Sequence, residues 1–218
     1  MLSRFKIFFI TLFCINISLL FSEENEIIVS YGLKAGINLA TLNGEQAFLI
    51  VNDNRLDATS KISAVGGLQL DFLISEKFAI QPELLLSMKG VNFDANEYIH
   101  TWSLWYLELP VLFKSVFEMD NNINGSFYVG PAIAYKLKST WSEKYLDSYL
   151  NENKKLYGIN DIDFSAIVGA SFDMSAFNSR IGLDLRYTYG LIGIQKHISA
   201  QNGTISISLY YVLGYSEL

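Results

Sequence analysis

The sequence predicts an all-β chain that closes as an eight-stranded antiparallel, up-and-down transmembrane β-barrel, with short periplasmic turns and longer outer loops. Three observations predict it. Eight segments of about ten or more residues alternate apolar and polar side chains, the connections between them alternate short and long, and aromatic residues gather near both ends of the apolar faces. The composition agrees: of 218 residues 50% are hydrophobic and 14% aromatic but only 17% charged, more apolar surface than one soluble domain of this length buries.

The elements follow in order. Over 30–40 the odd positions Tyr31, Leu33, Ala35, Ile37 and Leu39 are apolar, with Gly32, Lys34, Gly36 and Asn38 between them. The second segment, 61–74, sets Ala64, Leu68, Leu70, Phe72 and Ile74 against Ser63, Gly67, Gln69 and Asp71. The third, 78–90, sets Phe78, Ile80, Leu84, Leu86 and Met88 against Gln81, Glu83, Ser87 and Lys89. In 103–116 Trp105, Leu107, Leu109, Val111 and Phe113 oppose Tyr106, Glu108 and Lys114; in 126–138 Phe127, Val129, Ile133, Tyr135 and Leu137 oppose Ser126, Gly130, Ala134 and Lys136. The last three segments are 161–174, 180–190 and 204–214, and in the seventh Ile181, Leu183, Leu185, Tyr187 and Tyr189 alternate with Gly182, Asp184, Arg186 and Thr188. Pro82, Pro110 and Pro131 fall inside these segments and lack the ladder donor, which predicts bulges or locally broken pairing there.

Connections at 75–77, 117–125 and 175–179 are short, whereas 41–60, 91–102, 139–160 and 191–203 are longer and polar. Tyr145, Leu146, Tyr149 and Leu150 recur at helical spacing after Ser142, which predicts a helical turn or two in the third long loop. Two interface girdles are expected: Tyr31, Phe72, Phe78, Phe113, Phe127, Phe172 and Tyr211 near the short turns, and Trp105, Tyr135, Phe164, Tyr187 and Tyr189 near the long loops.

Residues 1–22 read as a signal peptide ahead of a barrel domain over 23–218: Arg4 and Lys6 precede an apolar run over 7–21, which is shorter than a membrane-spanning helix. Cys14 is the chain's one cysteine, and the bulky Leu12-Phe13 before it disfavours a lipidation signal. Cleavage after Ser22 would leave a chain with no disulfide or thiolate metal ligand, its net charge moving from −6 to −8. Acidity of that size disfavours nucleic acid or an anionic lipid surface as the main partner.

No phosphate loop, zinc spacing or nucleophile elbow is present, so neither a metal, a cofactor nor a catalytic set is expected. If the apolar faces meet lipid, Lys34, Gln69, Asp71, Glu83, Lys89, Glu108, Lys114, Lys136, Asp184 and Arg186 point inward. Charges of both signs predict a paired network filling a lumen too narrow for a large solute, with Glu83, Glu108 and Arg186 as a cluster at mid-depth. His100 and His197 fall in outer loops near Thr101, Ser103 and Ser199, which a lipid-modifying rim enzyme would require, but solvated loop histidines explain them as well.

The ordered segments Gly32-Leu33-Lys34-Ala35-Gly36-Ile37-Asn38, Gln81-Pro82-Glu83-Leu84, Tyr106-Leu107-Glu108-Leu109-Pro110 and Tyr128-Val129-Gly130-Pro131 resemble the PorT-like outer membrane β-barrel family. The resemblance implies that Glu83, Glu108 and the in-strand prolines are family features. It spans nearly all of the chain after residue 22. Expected partners are the outer membrane lipids, the barrel assembly machinery during insertion, which would read 209–215, and an extracellular ligand of unknown kind. The expected function is a structural or surface-interaction role; a narrow pore, a lipid-modifying enzyme and a soluble lipocalin-type binder of inverse polarity are the competitors.

Overall fold

A backbone that crosses lipid must satisfy its own hydrogen bonds, and a strand can do so only if its sheet has no free edge within the bilayer. The computed structural model describes residues 27–217 apart from 52–53, 96–97, 121, 147, 177–178 and 197–198. The expected signal segment with Cys14, and His197, lie outside the described residues. The strands are β1 (Ile28–Asn43), β2 (Phe48–Val51), β3 (Asn54–Thr59), β4 (Lys61–Ser75), β5 (Phe78–Ala95), β6 (Tyr98–Asp120), β7 (Ile123–Tyr145), β8 (Ser148–Lys155), β9 (Ile162–Ala176), β10 (Ser179–Gly190) and β11 (Gln201–Glu217).

Eight of them form the expected ring, in the order β1, β4, β5, β6, β7, β9, β10, β11, every neighbouring pair antiparallel. The last closes on the first along its whole length, from Ile28 opposite Glu217 to Asn43 opposite Gln201. Strict alternation puts polar side chains inside and apolar ones outside. On β10 Asp184, Arg186 and Thr188 are buried while Leu183, Leu185 and Tyr187 are exposed. A lipocalin-type barrel would show the opposite polarity.

On β7 the exposed run Phe127, Val129, Pro131, Ile133, Tyr135, Leu137 spans ten residue steps, which at about 3.3 Å each and a tilt of about 40° makes an apolar band about 25 Å tall. Of the expected girdle residues, Tyr31, Phe113, Phe127, Tyr135, Phe164, Phe172, Tyr187, Tyr189 and Tyr211 are exposed on the outer wall, and Phe72, Phe78 and Trp105 are half-exposed.

Beyond the band the structure departs from the expected loops. The connection 91–102 is mostly strand, because β5 and β6 stay paired from Val91 opposite Trp102 to Ala95 opposite Tyr98. Residues 41–60 contain the β2–β3 hairpin, which joins this sheet through Ala58 opposite Phe93 and Thr59 opposite Asn92. The expected helical turn is strand β8, paired with β7 from Thr140 opposite Lys155 to Tyr145 opposite Ser148, with Leu146 turning the chain at φ 51°. Cross-strand pairing with β7 overrides the helical spacing of its tyrosines and leucines. Inside this extension Leu42, Leu56, Val91, Phe93, Leu104, Ile159, Ile194 and Ala200 form an apolar core above the lumen.

The three prolines interrupt pairing but do not bulge or end their strands. The β4–β5 ladder lacks the pair Leu70 with Pro82, the β5–β6 ladder lacks Glu83 with Pro110, and the β6–β7 ladder lacks Val111 with Pro131, each resuming in unchanged register. Every proline faces the preceding strand of the ring where an N–H would be needed. On its other side each is paired: Pro82 with Val111, Pro110 with Ala132, Pro131 with Ala166. Bulges lie elsewhere, as between Tyr31 and Gly32.

Interior glycines make room for tyrosine rings. A Cβ on Gly182 would sit 2.1 Å from the Tyr210 ring, and one on Gly169 would sit 2.4 Å from the Tyr128 hydroxyl. Gly182→Val is therefore expected to cost about 1–3 kcal/mol by overpacking, read by urea unfolding monitored by gel mobility of unboiled samples. The pair Gly182→Val with Tyr210→Ala should recover part of that loss; additive losses would show that the ring and the glycine are independent.

Candidate functional site

The lumen gathers buried charge of both signs, and the pleat dictates which residues meet there. Along β5 the inward positions are Gln81, Glu83, Leu85, Ser87 and Lys89, and on the opposite wall β10 offers Asp184, Arg186 and Thr188. Strand β10 is fourth from β5 in the ring of eight, so any contact between them crosses the full diameter. Arg186 makes that crossing. Its Nη1 and Nη2 donate to the two carboxylate oxygens of Glu83 at 2.8 and 3.0 Å.

Around this strut the middle tier is balanced. Lys34 from β1 donates to Glu83 at 2.6 Å and lies 3.5 Å from Asp184; Arg186 Nε donates to Asp184 at 2.9 Å, and the Tyr128 hydroxyl donates to Asp184 at 2.6 Å. Two cations face two carboxylates, all almost wholly buried. Each of the four carboxylate oxygens accepts from at least one donor, as such burial requires.

Gln81 links this tier to a lower one, donating to Glu83 at 2.6 Å and accepting from Lys114 at 2.8 Å, while Lys114 also donates to Asp71 at 3.1 Å. Across the lower lumen the Tyr210 hydroxyl donates to Asp173 at 3.0 Å, and Arg180 lies 3.7 Å from the same carboxylate. An upper tier pairs Lys89 with Glu108; Asp163 lies 3.9 Å from Lys89 and accepts from Asn202 at 2.8 Å. Asn202 also reaches the Tyr106 hydroxyl at 3.5 Å, and since β6 and β11 are diametrically opposed this is a second crossing of the barrel. Between middle and upper tiers lies a cavity of about 10 Å³ bordered by Lys34, Lys89, Arg186, Thr204 and Ser206, room for about one water.

Lys34, Asp71, Glu83, Glu108, Asp184 and Arg186 all project inward, but not into one cluster. Glu83 and Arg186 meet at mid-depth, whereas Glu108 belongs to the upper tier with Lys89, because the pair of Leu85 with Glu108 sits two residues further out along β5 than Glu83. Lys136 is at the rim, 2.9 Å from the exposed Asp161. Asp163, Asp173, Tyr128 and Tyr210 were not among the expected residues; their parity with Ser165, Ser171, Ser126 and Ser208 was the signal that would have found them.

His100 is half-buried on β6, stacked on Trp141 at 5.1 Å, and burial holds its imidazole below the usual histidine range. The neighbouring hydroxyls are engaged elsewhere, Thr101 donating to Asn92 at 2.9 Å and Ser103 accepting from Lys61. Among the described residues no group of three or more His, Cys, Asp or Glu converges on a metal-sized point.

No curated protein matches the chain. Among solved structures it is similar to the attachment invasion locus protein Ail of Yersinia pestis, at 10% identity and a TM-score of 0.41 over 87% of this chain and 100% of that one. It is similar also to the outer membrane protein OprG of Pseudomonas aeruginosa, at 9% identity and a TM-score of 0.41 over 88% and 94% of the two chains, and to Neisserial surface protein A, at 10% identity and a TM-score of 0.40 over 83% and 95%. The model of the family described as outer membrane protein beta-barrel domain matches residues 21–196. With its lipid-facing wall, charged interior and closed ring, the chain belongs to that family, as a small β-barrel of the bacterial outer membrane.

Proposed function

We propose that this barrel is a closed, non-catalytic wall element whose work is done by its outer face and rim, the lumen serving to hold that face rigid. The Glu83–Arg186 strut carries this reading: a bidentate ion pair across the full diameter leaves the cross-section occupied at mid-depth. The apolar core of Leu42, Phe93, Leu104 and Ile194 lies above it at the outer end, where a solute would have to enter. Within the outer membrane family we infer the PorT-like kind, on the ordered Gln81-Pro82-Glu83 and Tyr106-Leu107-Glu108-Leu109-Pro110 segments. Contacts with lipid, with the assembly machinery during insertion and with an extracellular ligand are parts of the same proposal.

A passive pore requires a continuous wet path. Reconstituted into planar bilayers, the purified protein is expected to give no steady open state; a reproducible single-channel step would overturn the closed reading.

The strut's contribution is measurable. Arg186→Ala leaves Glu83 with one cation, and Glu83→Ala leaves Arg186 and Lys34 to share Asp184; each should destabilise the folded barrel by about 3–5 kcal/mol, the cost of breaking a buried pair. The double variant should cost less than the sum, because no charge is then stranded. Urea unfolding in detergent micelles gives all three values, and simple additivity would mean that the two groups do not act as a pair.

A further inference from the structure

Cations outside the lumen are unevenly placed. Among the described residues the exposed ones are Arg55, Lys77, Lys138, Lys154, Lys155 and Lys196, and three of these six lie on β7 and β8. Where β8 leads toward β9, a groove of about 480 Å³ opens between the two arms, bordered by Lys136, Leu137, Lys138, Lys155, Tyr157 and one carboxylate, Asp161. The arms are fixed to each other: the Leu156 N–H donates to the Ser139 carbonyl at 3.1 Å, and the Ser139 hydroxyl donates to the Leu156 carbonyl at 2.8 Å.

The groove's height is set by its own residues. Tyr135 and Leu137, 57% and 52% exposed, are the topmost residues of the lipid-facing run on β7, and Lys138 is the next residue. The groove therefore opens at the level of the outer-leaflet headgroups. Lys136 is neutralised by Asp161 and also donates to the Ile159 carbonyl. Lys138 and Lys155, by contrast, have no carboxylate within ion-pair distance among the described residues, and the Lys155 ammonium rests 5.1 Å above the Tyr157 ring. Asp161 cancels Lys136, so Lys138 and Lys155 leave the groove a net positive charge, and a lipid headgroup at this depth offers a phosphate. Leu137 and Tyr157 add apolar surface against which a sugar ring can rest.

We propose that the groove between β7 and β8 binds the phosphate-bearing headgroup of an outer-leaflet glycolipid, with Lys138 and Lys155 on the phosphate and Tyr157 against the sugar. The site depends on the barrel's placement in the membrane and not on whether its lumen is closed, so the two readings fail independently.

The test uses the purified barrel in neutral phosphatidylcholine nanodiscs, into which bisphosphorylated lipid A or its dephosphorylated form is titrated, with retained lipid read by native mass spectrometry. The phosphorylated form is expected to be retained at least about tenfold better, the worth of one charge-assisted hydrogen bond. Lys138→Glu with Lys155→Glu should abolish that preference and Lys77→Glu, on the periplasmic turn, should leave it intact. The milder Lys138→Gln with Lys155→Gln, its folding checked by gel mobility, repeats the test without charge reversal. Equal retention of the two lipids, or a preference untouched in both double variants, would overturn the proposal. Displacement of lipid A by millimolar glucosamine 1-phosphate would also overturn it, since the groove would then be reading a soluble sugar phosphate.

Discussion

Closure of the hydrogen-bonded ring is the constraint from which the other features follow. In lipid no water can satisfy a strand edge, so β1 must meet β11 and the number of strands sets the bore. Eight strands leave a lumen that side chains can bridge. Once bridged, that lumen is too dry to solvate single charges, which is why Lys34, Glu83, Asp184 and Arg186 occur as a neutral, mutually paired set. The outer wall obeys the inverse rule, and the period of two that separates the walls is visible residue by residue.

That period is why the fold could be read from the sequence. Alternation on β10 assigns Leu185 to lipid and Arg186 to the lumen without knowledge of any partner strand. Relative height, in contrast, is a property of pairs of strands. Glu83 and Glu108 share a face and a charge, yet one meets Arg186 and the other Lys89, since the register between β5 and β6 offsets them. The sequence held the ingredients of the tiers but not their grouping. The outer extension was harder still: Asn92, Asp94 and Thr101 share one face and make it polar where a lipid-facing strand would be apolar, so the segment read as loop, while in water a sheet needs only one apolar face, here Val91 and Phe93. The same holds for Tyr149 and Leu150, whose spacing suits a helix and whose partner is β7.

The prolines reconcile two demands on one ring. Pro82, Pro110 and Pro131 lie on successive strands, and each turns its missing donor toward the preceding strand, so the lapses fall on three adjacent seams of one side. Because the register survives each lapse, the alternation above and below is undisturbed and Glu83 still faces inward beside Pro110. A bulge there would have shifted the pleat and turned the carboxylate toward lipid.

The strut joins residues 103 positions apart in the chain. Neither partner lies in a hairpin with the other, so while strands are being threaded into the membrane Glu83 and Arg186 have no local means of neutralising each other. A β4–β5 hairpin entering alone would carry a carboxylate into lipid, and a β9–β10 hairpin would carry a guanidinium beside Asp184. The ring must therefore be nearly complete, with its interior sheltered, before it stands in open lipid; the charges that stiffen the finished wall also forbid its assembly strand by strand there.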